Sequence, residues 1–309
     1  MSINDLTVVV CCNKKDFFLA RICIASIRYY YPDIAIELIK DMGNGYFNTR
    51  EAEEAFNVKN INLGIEKMGW SGAKFHYLYA MPKGKKVLML DADIVFIGRF
   101  IERLLPDVEQ YDYVVSNEHA EDPYASWVKE IYFYTKKIEA NFPAYKYPGF
   151  FFNAGQMFVT TGSIDTNVLN DYFDVENYPY WKNSSLFPLV DQSVYNYLLP
   201  TLAAQNKLKL GSADFMLWGM SKESLKISLN EVKNKTLESG LIHWAGCFRN
   251  PYVSKMLRGD ILVFFEKFYY KNIRFGYIKM NKKRLEYLLD FTLKSIYKST
   301  FKKGLQFFR

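Results

Sequence analysis

Short apolar runs alternate with stretches at helical spacing over the first third of the chain. Continuous apolar runs at residues 6–12 and 86–90 predict strands that are buried on both faces, and shorter runs predict strands at 34–39 and 58–63. Helices are predicted at residues 17–31, 49–56 and 72–81, and Pro32 and Pro82 follow the first and the last of them. Strands that alternate with helices in this way indicate a largely parallel sheet covered on both sides.

The pattern becomes less regular beyond residue 93. It predicts strands at residues 94–97, 113–117 and 150–159, and helices at 100–105, 124–140 and from 191 to 198. There is no internal repeat and no Pro/Gly/Ser-rich linker, and the clearest change in composition falls near Pro251. We therefore expect an α/β protein with a largely parallel sheet in a domain at residues 1–252, followed by a basic, aromatic, helical appendage at 253–309.

The distribution of charge supports this division. The 309 residues are 50% hydrophobic, which excludes a disordered chain, and the net charge is +7. Residues 255–309 contain 14 Lys and Arg against 4 Asp and Glu, so the tail carries +10 and residues 1–254 carry −3. A basic tail on an ordinary domain predicts an anionic partner for the tail, either a membrane surface or a nucleic acid.

The four cysteines, at positions 11, 12, 23 and 247, show neither metal-binding nor disulfide spacing and suggest a reducing compartment. No segment approaches the ~20 apolar residues of a membrane span, and the first apolar run is too short for a signal peptide. The protein is therefore expected to be cytoplasmic.

Two carboxylates directly follow the most apolar predicted strand. In an open parallel sheet ligands bind at the carboxyl ends of the strands, which is where Asp91 and Asp93 are expected. Two acids separated by one residue on a turn can reach one hard cation. Such a cation can neutralise the charge of a diphosphate leaving group, although two acids after a strand can also be merely a solvated turn.

The segment Lys85-Lys-Val-Leu-Met-Leu-Asp-Ala-Asp-Ile-Val-Phe96 resembles the Asp-x-Asp strand of the GT-A glycosyltransferases, in particular glycosyltransferase family 8, which includes glycogenin and the lipopolysaccharide galactosyl- and glucosyltransferases. The resemblance covers roughly residues 6–252, and its motifs occur in the family's order. It implies the GT-A fold, which is Rossmann-like with a mixed, mostly parallel central sheet, and a donor site that includes Asp91, Ala92 and Asp93.

A second motif, Ile242-His-Trp-Ala-Gly-Cys-Phe-Arg-Asn-Pro-Tyr252, is similar to the family's His-x-x-Gly-x-x-Lys-Pro-Trp. The resemblance makes His243 the third metal ligand, and it places Gly246 and Arg249 at the donor diphosphate. The chain departs from the pattern because Arg replaces Lys, Asn250 is inserted and Tyr252 replaces Trp. An imidazole beside two carboxylates favours Mn²⁺ over Mg²⁺.

Three further segments complete the resemblance. Phe151-Phe-Asn-Ala-Gly-Gln156 implies that Asn153, Ala154 and Gly155 line the bound sugars. Leu189-Val-Asp-Gln-Ser-Val-Tyr-Asn196 implies that Asp191 binds donor-sugar hydroxyls and that Gln192 lies near the anomeric carbon. The remaining candidates are Lys74, as a contact of the donor, and Asn13, which follows the first strand where the family holds uracil and ribose.

The resemblance implies transfer of a hexose from a UDP-sugar, with retention of anomeric configuration, to a glycan or lipid-linked glycan in surface polysaccharide or lipopolysaccharide synthesis. An inverting reaction with Asp191 as base is the alternative. A sugar-nucleotide nucleotidyltransferase would usually have a glycine-rich loop after the first strand, and residues 11–16 contain no glycine.

The basic tail adds a separate hypothesis. Five residues from Leu285 to Thr300 recur at helical spacing, and seven lysines and arginines lie between positions 282 and 303, which is typical of a helix on an anionic membrane surface. A basic helix packed on its own domain is the structural alternative. A nucleic-acid-binding protein would account for the tail but not for the acidic pair or the histidine motif, so no nucleic acid is expected as a partner.

Overall fold

The computed structural model describes residues 1–286 and 289, apart from residues 70, 119–121 and 239. In this part of the chain ten strands form two sheets: β1 (Leu6–Asn13), β2 (Ala35–Asp41), β3 (Val58–Ile61), β4 (Lys86–Asp91), β5 (Ile94–Phe96), β6 (Tyr113–Glu118), β7 (Phe151–Thr160), β8 (Leu210–Ser212), β9 (Met216–Trp218) and β10 (Leu241–His243). The main sheet has the order β3-β2-β1-β4-β7-β6-β8, and β7 runs antiparallel to both of its neighbours. The predicted mixed, mostly parallel α/β sheet is thus confirmed.

Helices cover both faces of this sheet. They are α1 (Phe17–Tyr30), α2 (Arg50–Phe56), α3 (Gly72–Ala80), α4 (Ile101–Gln110), α5 (Ser126–Ile131), α6 (Thr135–Asn141), α7 (Thr166–Asn170), α8 (Val190–Ala204), α9 (Lys222–Lys226), α10 (Leu229–Asn234) and α11 (Gly259–Lys271). The single helix predicted over residues 124–140 is wrong, because the chain forms α5 and α6 with a break at residues 132–134. Tyr132 and Phe133 are fully buried at this break, and their packing overrides the helical periodicity.

The central strand β4 separates two hydrophobic clusters. Val87 and Met89 belong to one cluster, and Leu88 and Leu90 belong to the other. This explains why the strand is apolar at every position, as expected for a parallel strand covered on both faces. Because β1, β2 and β4 are parallel, their carboxyl ends meet at one edge of the sheet, where polar residues replace the apolar run.

The small sheet brings a distant segment to this edge. Strand β10 pairs antiparallel with β5, with His243 opposite Ile94, and parallel with β9, with His243 opposite Trp218. The amide of Trp244 also donates a hydrogen bond to the carbonyl of Asp93 over 3.0 Å. The sequence pattern did not predict β8, β9 or β10, which have three residues each and show no period. β5 is equally short, but the continuous apolar run at residues 94–97 marked it.

Helix α11 lies within the predicted appendage but packs on α1. Ile261, Leu262 and Phe265 are fully buried in the same cluster as α1, and the ring of Tyr269 stacks on Phe56 with centroids 5.0 Å apart. The first part of the predicted tail therefore contributes to the core of the domain, and the division at residue 252 stays a prediction. No helix in the described ranges has both the length and the apolar character needed to cross a membrane.

We expect the substitution Phe265→Ala to lower the free energy of unfolding by ~3–5 kcal/mol, because it removes a buried ring and leaves a cavity between α11 and α1. Tyr277→Ala is the control, since this ring is 74% exposed; its effect should stay within ~0.5 kcal/mol. Urea unfolding followed by circular dichroism measures both. Equal effects of the two substitutions would show that α11 does not pack on the core.

Candidate metal centre and adjoining cavity

Asp91, Asp93 and His243 converge at the carboxyl end of β4. One ligand atom from each side chain lies within 4.8 Å of the other two. The imidazole Nε2 of His243 is 3.2 Å from Oδ1 of Asp93, and both side chains are almost completely buried. The structure therefore brings together the three residues that the sequence motifs suggested as metal ligands.

Each carboxylate of this cluster is also paired with a cation. Lys74 Nζ lies 2.7 Å from Asp91 Oδ1, and an Arg249 nitrogen lies 2.6 Å from Asp93 Oδ2. One oxygen of each carboxylate is left outside these ion pairs. Burial alone would raise the pKa of Asp93, but His243 and Arg249 hold it below its ordinary value, so the carboxylate is ionised and able to bind a cation.

The backbone at Gly155 leaves space for the cluster. A Cβ atom at this position would lie 2.4 Å from Cε1 of His243 and 2.9 Å from Oδ2 of Asp91. Within the described residues, Nδ1 of His243 is buried without a hydrogen-bond partner. Two carboxylates and one imidazole form a donor set for a divalent cation, and the nitrogen ligand suits Mn²⁺ better than Mg²⁺. The residues thus fit the metal that the resemblance implies.

An open cavity adjoins the two aspartates. Its lining contains five aspartates but only one lysine and one arginine, so three negative charges are in excess. The lining residues are Cys11, Cys12, Asn13, Asp16, Asp41, Gly69, Ser71, Ala73, Lys74, Asp91, Ala92, Asp93, Asp191 and Arg249. An anionic ligand cannot enter such a cavity favourably unless a cation accompanies it.

Lys74 lines this cavity but its ammonium group is already occupied. Lys74 is 1% exposed, and its nitrogen contacts the carbonyl of Ala154 at 2.7 Å, Asp91 at 2.7 Å and Asp191 at 3.2 Å. Burial would lower the pKa of Lys74, but the two carboxylates raise it above its ordinary value. An ammonium has three protons to donate, so these contacts account for all of them. The predicted contact of Lys74 with the donor stays a prediction.

Strand β7 and helix α8 are joined by side-chain hydrogen bonds beside the cluster. The amide of Ala154 donates to Oε1 of Gln192 over 2.7 Å, and the amide of Phe152 donates to Oδ1 of Asn196 over 3.0 Å. Within β7, the amide of Gly155 donates to Oδ1 of Asn153 over 2.7 Å. Burial raises the pKa of Asp191, and Lys74 opposes that rise. Asp191 is thus held at the cavity wall, while Asn153, Ala154, Gly155 and Gln192 support the wall without lining it.

The remaining predicted residues have different surroundings. Asn13 lines the cavity, and its side chain bonds to Asp16 at 2.7 Å and to the amide of Lys15 at 2.8 Å. Arg249 bridges two aspartates: one guanidinium nitrogen lies 2.6 Å from Oδ2 of Asp93, and the other lies 2.5 Å from Oδ1 of Asp16. Gly246 does not line the cavity; it occupies a turn with φ of +72°, and a Cβ there would meet nothing within 4 Å.

Sequence reasoning missed two acidic residues of the lining, Asp16 and Asp41. Asp41 is the last residue of β2, and it accepts hydrogen bonds from the amides of Gly43 and Met68 at 2.9 and 3.0 Å. Asp16 lies three residues after β1. Both follow parallel strands at the same sheet edge as Asp91, so the rule that located Asp91 could have found them.

Comparison with known proteins gives a fold but no family assignment from sequence. No family model and no curated protein matches the sequence. Among solved structures, the apo form of the bifunctional glycosyltransferase WbbM has a TM-score of 0.54 at 12% identity over 90% of this chain, which spans about half (51%) of that protein.

Two further structures give lower scores. The galactosyltransferase LgtC with donor and acceptor sugar analogs has a TM-score of 0.49 at 15% identity, over 85% of this chain and 95% of that one. The glycosyltransferase GlyE of Streptococcus pneumoniae has a TM-score of 0.44 at 11% identity, over 91% and 63%. The likeness to WbbM shows that this chain has the fold of a glycosyltransferase, and the predicted GT-A type of α/β fold is thereby confirmed.

We expect Gly155→Ala to weaken Mn²⁺ binding by at least ~10-fold, because the added methyl group displaces His243 or Asp91 from the cluster. Gly72→Ala is the matched control, since a Cβ there meets no atom closer than 3.6 Å. Isothermal titration calorimetry measures the affinity, and a thermal melt verifies that both variants are folded. Unchanged affinity in Gly155→Ala would contradict a metal site at these residues.

Proposed function

We propose that this chain is a metal-dependent glycosyltransferase that transfers a hexose from a nucleotide sugar to a glycan or lipid-linked glycan. The observation that carries the proposal is the Asp91, Asp93 and His243 cluster, which borders an acidic cavity at the carboxyl end of a parallel sheet. The sequence motifs around these residues and the fold support the same conclusion. We propose UDP as the nucleotide and surface polysaccharide or lipopolysaccharide synthesis as the process, both from the resemblance to family 8.

The excess negative charge of the cavity supports metal dependence. A diphosphate placed against five aspartates would be repelled, so the ligand and a divalent cation must bind together. Asp91, Asp93 and His243 would hold this cation. When bound, a divalent cation neutralises the charge that develops on a nucleoside diphosphate leaving group.

Other residues of the cavity would bind and orient the donor. Arg249 is 43% exposed in its side chain and reaches Asp93, so its guanidinium can donate hydrogen bonds to a phosphate at the open side of the cavity. The Asp191 carboxylate, fixed by Lys74, is an acceptor for hydroxyl groups of the donor sugar. Asn13 and Asp41 lie farther along the same lining and would contact the nucleoside.

The geometry of Gln192 bears on the stereochemistry. Its amide oxygen accepts the hydrogen bond from Ala154 and is thereby held in the wall, and a neutral amide is a poor nucleophile. We therefore propose retention through attack on the same face as the departing phosphate. The inverting alternative needs Asp191 as a free base, and the ion pair with Lys74 at 3.2 Å restrains that carboxylate.

We expect a screen of nucleotide sugars to find one, UDP-linked, that is hydrolysed in the presence of Mn²⁺. Asp93→Ala should reduce the rate by at least ~100-fold, because the loss of a metal ligand removes several kcal/mol of leaving-group stabilisation. Asp33→Ala is the control, since this exposed aspartate precedes β2 at the opposite end of the strand. Hydrolysis by Asp93→Ala at the wild-type rate would contradict the proposal. Retention is tested separately by proton NMR of the first-formed product.

We also propose that the basic tail binds the anionic surface of the membrane on its cytoplasmic side. Residues 276–286 are helical, and Met280 packs against the main core, while Lys279 and Lys283 pair with Glu51 and Glu266. The other predicted lipid-facing residues, from Leu293 onward, lie outside the described residues. A tail anchored on the domain would place the cavity near a lipid-linked acceptor.

Flotation with liposomes tests this part of the proposal. Removal of residues 287–309 leaves α11 and its packing intact, and it should abolish flotation with phosphatidylglycerol vesicles because it removes the basic residues at positions 294, 298, 302, 303 and 309. The full chain with phosphatidylcholine vesicles is the control. Equal flotation of the full and shortened chains on anionic vesicles would remove the membrane claim.

A further inference from the structure

A groove whose charge is opposite to that of the acidic cavity lies between α1, α2 and the residues that follow α11. Its lining carries four cations against two carboxylates, a balance of +2. These residues are Arg21, Arg50, Arg274 and Lys279, and Glu51 and Glu54. The groove shares no lining residue with the acidic cavity, and the proposed transfer reaction does not use it. We call it the basic groove.

Only half of the cations in the basic groove are compensated. Arg50 lies 2.6 Å from Glu54, and Lys279 pairs with the other glutamate of α2. Among the residues that the structure describes, neither Arg21 nor Arg274 forms an ion pair with a carboxylate. Two guanidinium groups therefore face the same groove without a counter-charge.

The guanidinium group of Arg21 is held in place by aromatic rings. Its central carbon lies 4.5 Å from the ring centroid of Phe17 and 5.7 Å from that of Tyr269. The interior also offers it the hydroxyl of Tyr270, but Nε of Arg21 is buried without a hydrogen-bond partner among the described residues. A buried donor without an acceptor costs free energy, so proteins rarely leave one without a reason. An anion for this side chain has to come from the groove.

The carboxylate behind Arg21 is already occupied. Glu266 of α11 is buried, and it lies 3.1 Å from Nζ of Lys283 and 3.7 Å from a nitrogen of Arg284. Burial lowers the pKa of Lys283, and although Glu266 opposes this, repulsion from Arg21 and Arg284 adds to it. Three cations thus lie around one carboxylate, and the charge of Arg21 is not neutralised from the interior.

Exposed apolar side chains lie beside the groove. Phe275, Tyr277 and Ile278 directly follow Arg274 and are 61%, 74% and 65% exposed. Cations next to exposed aromatic and aliphatic side chains are typical of surfaces that contact anionic lipid headgroups. The anion that fits the groove can therefore come from a lipid headgroup as well as from a free solute.

We infer that the basic groove binds a phosphate monoester through hydrogen bonds donated by Arg21 and Arg274. A phosphate monoester carries about −1.5 to −2 charges at pH 7, which matches two uncompensated guanidinium groups, whereas a phosphodiester carries a single charge. A guanidinium group can also donate two parallel hydrogen bonds to phosphate oxygens. The site involves neither the metal centre nor the residues from 287 onward, so it is separate from the proposed sugar transfer and from the proposed membrane contact of the tail.

Two binding measurements on the full chain test this site. Isothermal titration with glycerol 3-phosphate, in the absence of divalent cations, measures binding of a free monoester. Flotation compares phosphatidylcholine vesicles that contain phosphatidic acid, a monoester, with vesicles of equal surface charge that contain phosphatidylglycerol, a diester. We expect the wild type to bind glycerol 3-phosphate and to prefer phosphatidic acid. Arg21→Gln and Arg274→Gln should each weaken monoester binding ~10-fold, because each removes a charge-assisted contact.

A matched control separates the site from the loss of charge alone. Arg103→Gln removes one positive charge from α4, which does not line the groove, and it should change neither measurement. Arg274 is exposed, so Arg274→Gln tests the site even where Arg21→Gln lowers stability. A thermal melt of each variant identifies such a loss.

The outcomes also identify the source of the phosphate. Binding of glycerol 3-phosphate points to a free ester, and a preference for phosphatidic acid alone points to a lipid headgroup; both support the site when the arginine variants lose them. Absence of both effects in the wild type, or wild-type binding by folded Arg274→Gln, would overturn the inference. Neither measurement depends on nucleotide-sugar hydrolysis, so the proposed function and this inference fail or succeed separately.

Discussion

The arrangement of the site depends on how the fold compensates carboxylates that meet at one sheet edge. Asp16, Asp41, Asp91, Asp93 and Asp191 line the same cavity, and like charges at short range repel strongly in a partly buried environment. Lys74 provides the buried counter-charge, because its ammonium joins Asp91 to Asp191 and is anchored on a backbone carbonyl. Arg249 does the same for Asp93 and Asp16 from the open side. These two cations leave three negative charges of the lining uncompensated.

The parts of the fold that could be predicted are those with a long or continuous apolar pattern. Strands β1 and β4 and helix α1 are of this kind, and the position of Asp91 and Asp93 followed from β4 alone. His243 could not be placed by periodicity, because β10 has three residues and obtains its position from pairing with β5. Only the motif resemblance connected it with the aspartates. The role of Lys74 in compensating charge was equally hidden, since its two carboxylate partners lie 17 and 117 residues away along the chain.

The support behind His243 comes from the segment that the charge pattern separated from the domain. Trp244 is fully buried, and its indole donates a hydrogen bond of 2.7 Å to the carbonyl of Leu257, just before α11. Because α11 packs on α1, this bond connects the histidine strand to the opening β-α unit. The composition of the chain changes near residue 251, but the hydrophobic core includes buried residues on both sides of this position. The basic composition after residue 251 describes the surface of this segment, whereas the buried residues of α11 show that the segment belongs to the core of the domain.

The pairing of β5 with β10 also has a consequence for synthesis of the chain. A nascent polypeptide that has emerged only as far as residue 240 contains the strands of the main sheet and the two aspartates of the candidate metal centre, but not His243. The three side chains therefore come together only after the strand near the carboxyl end has paired with β5, when nearly all of the main sheet already exists.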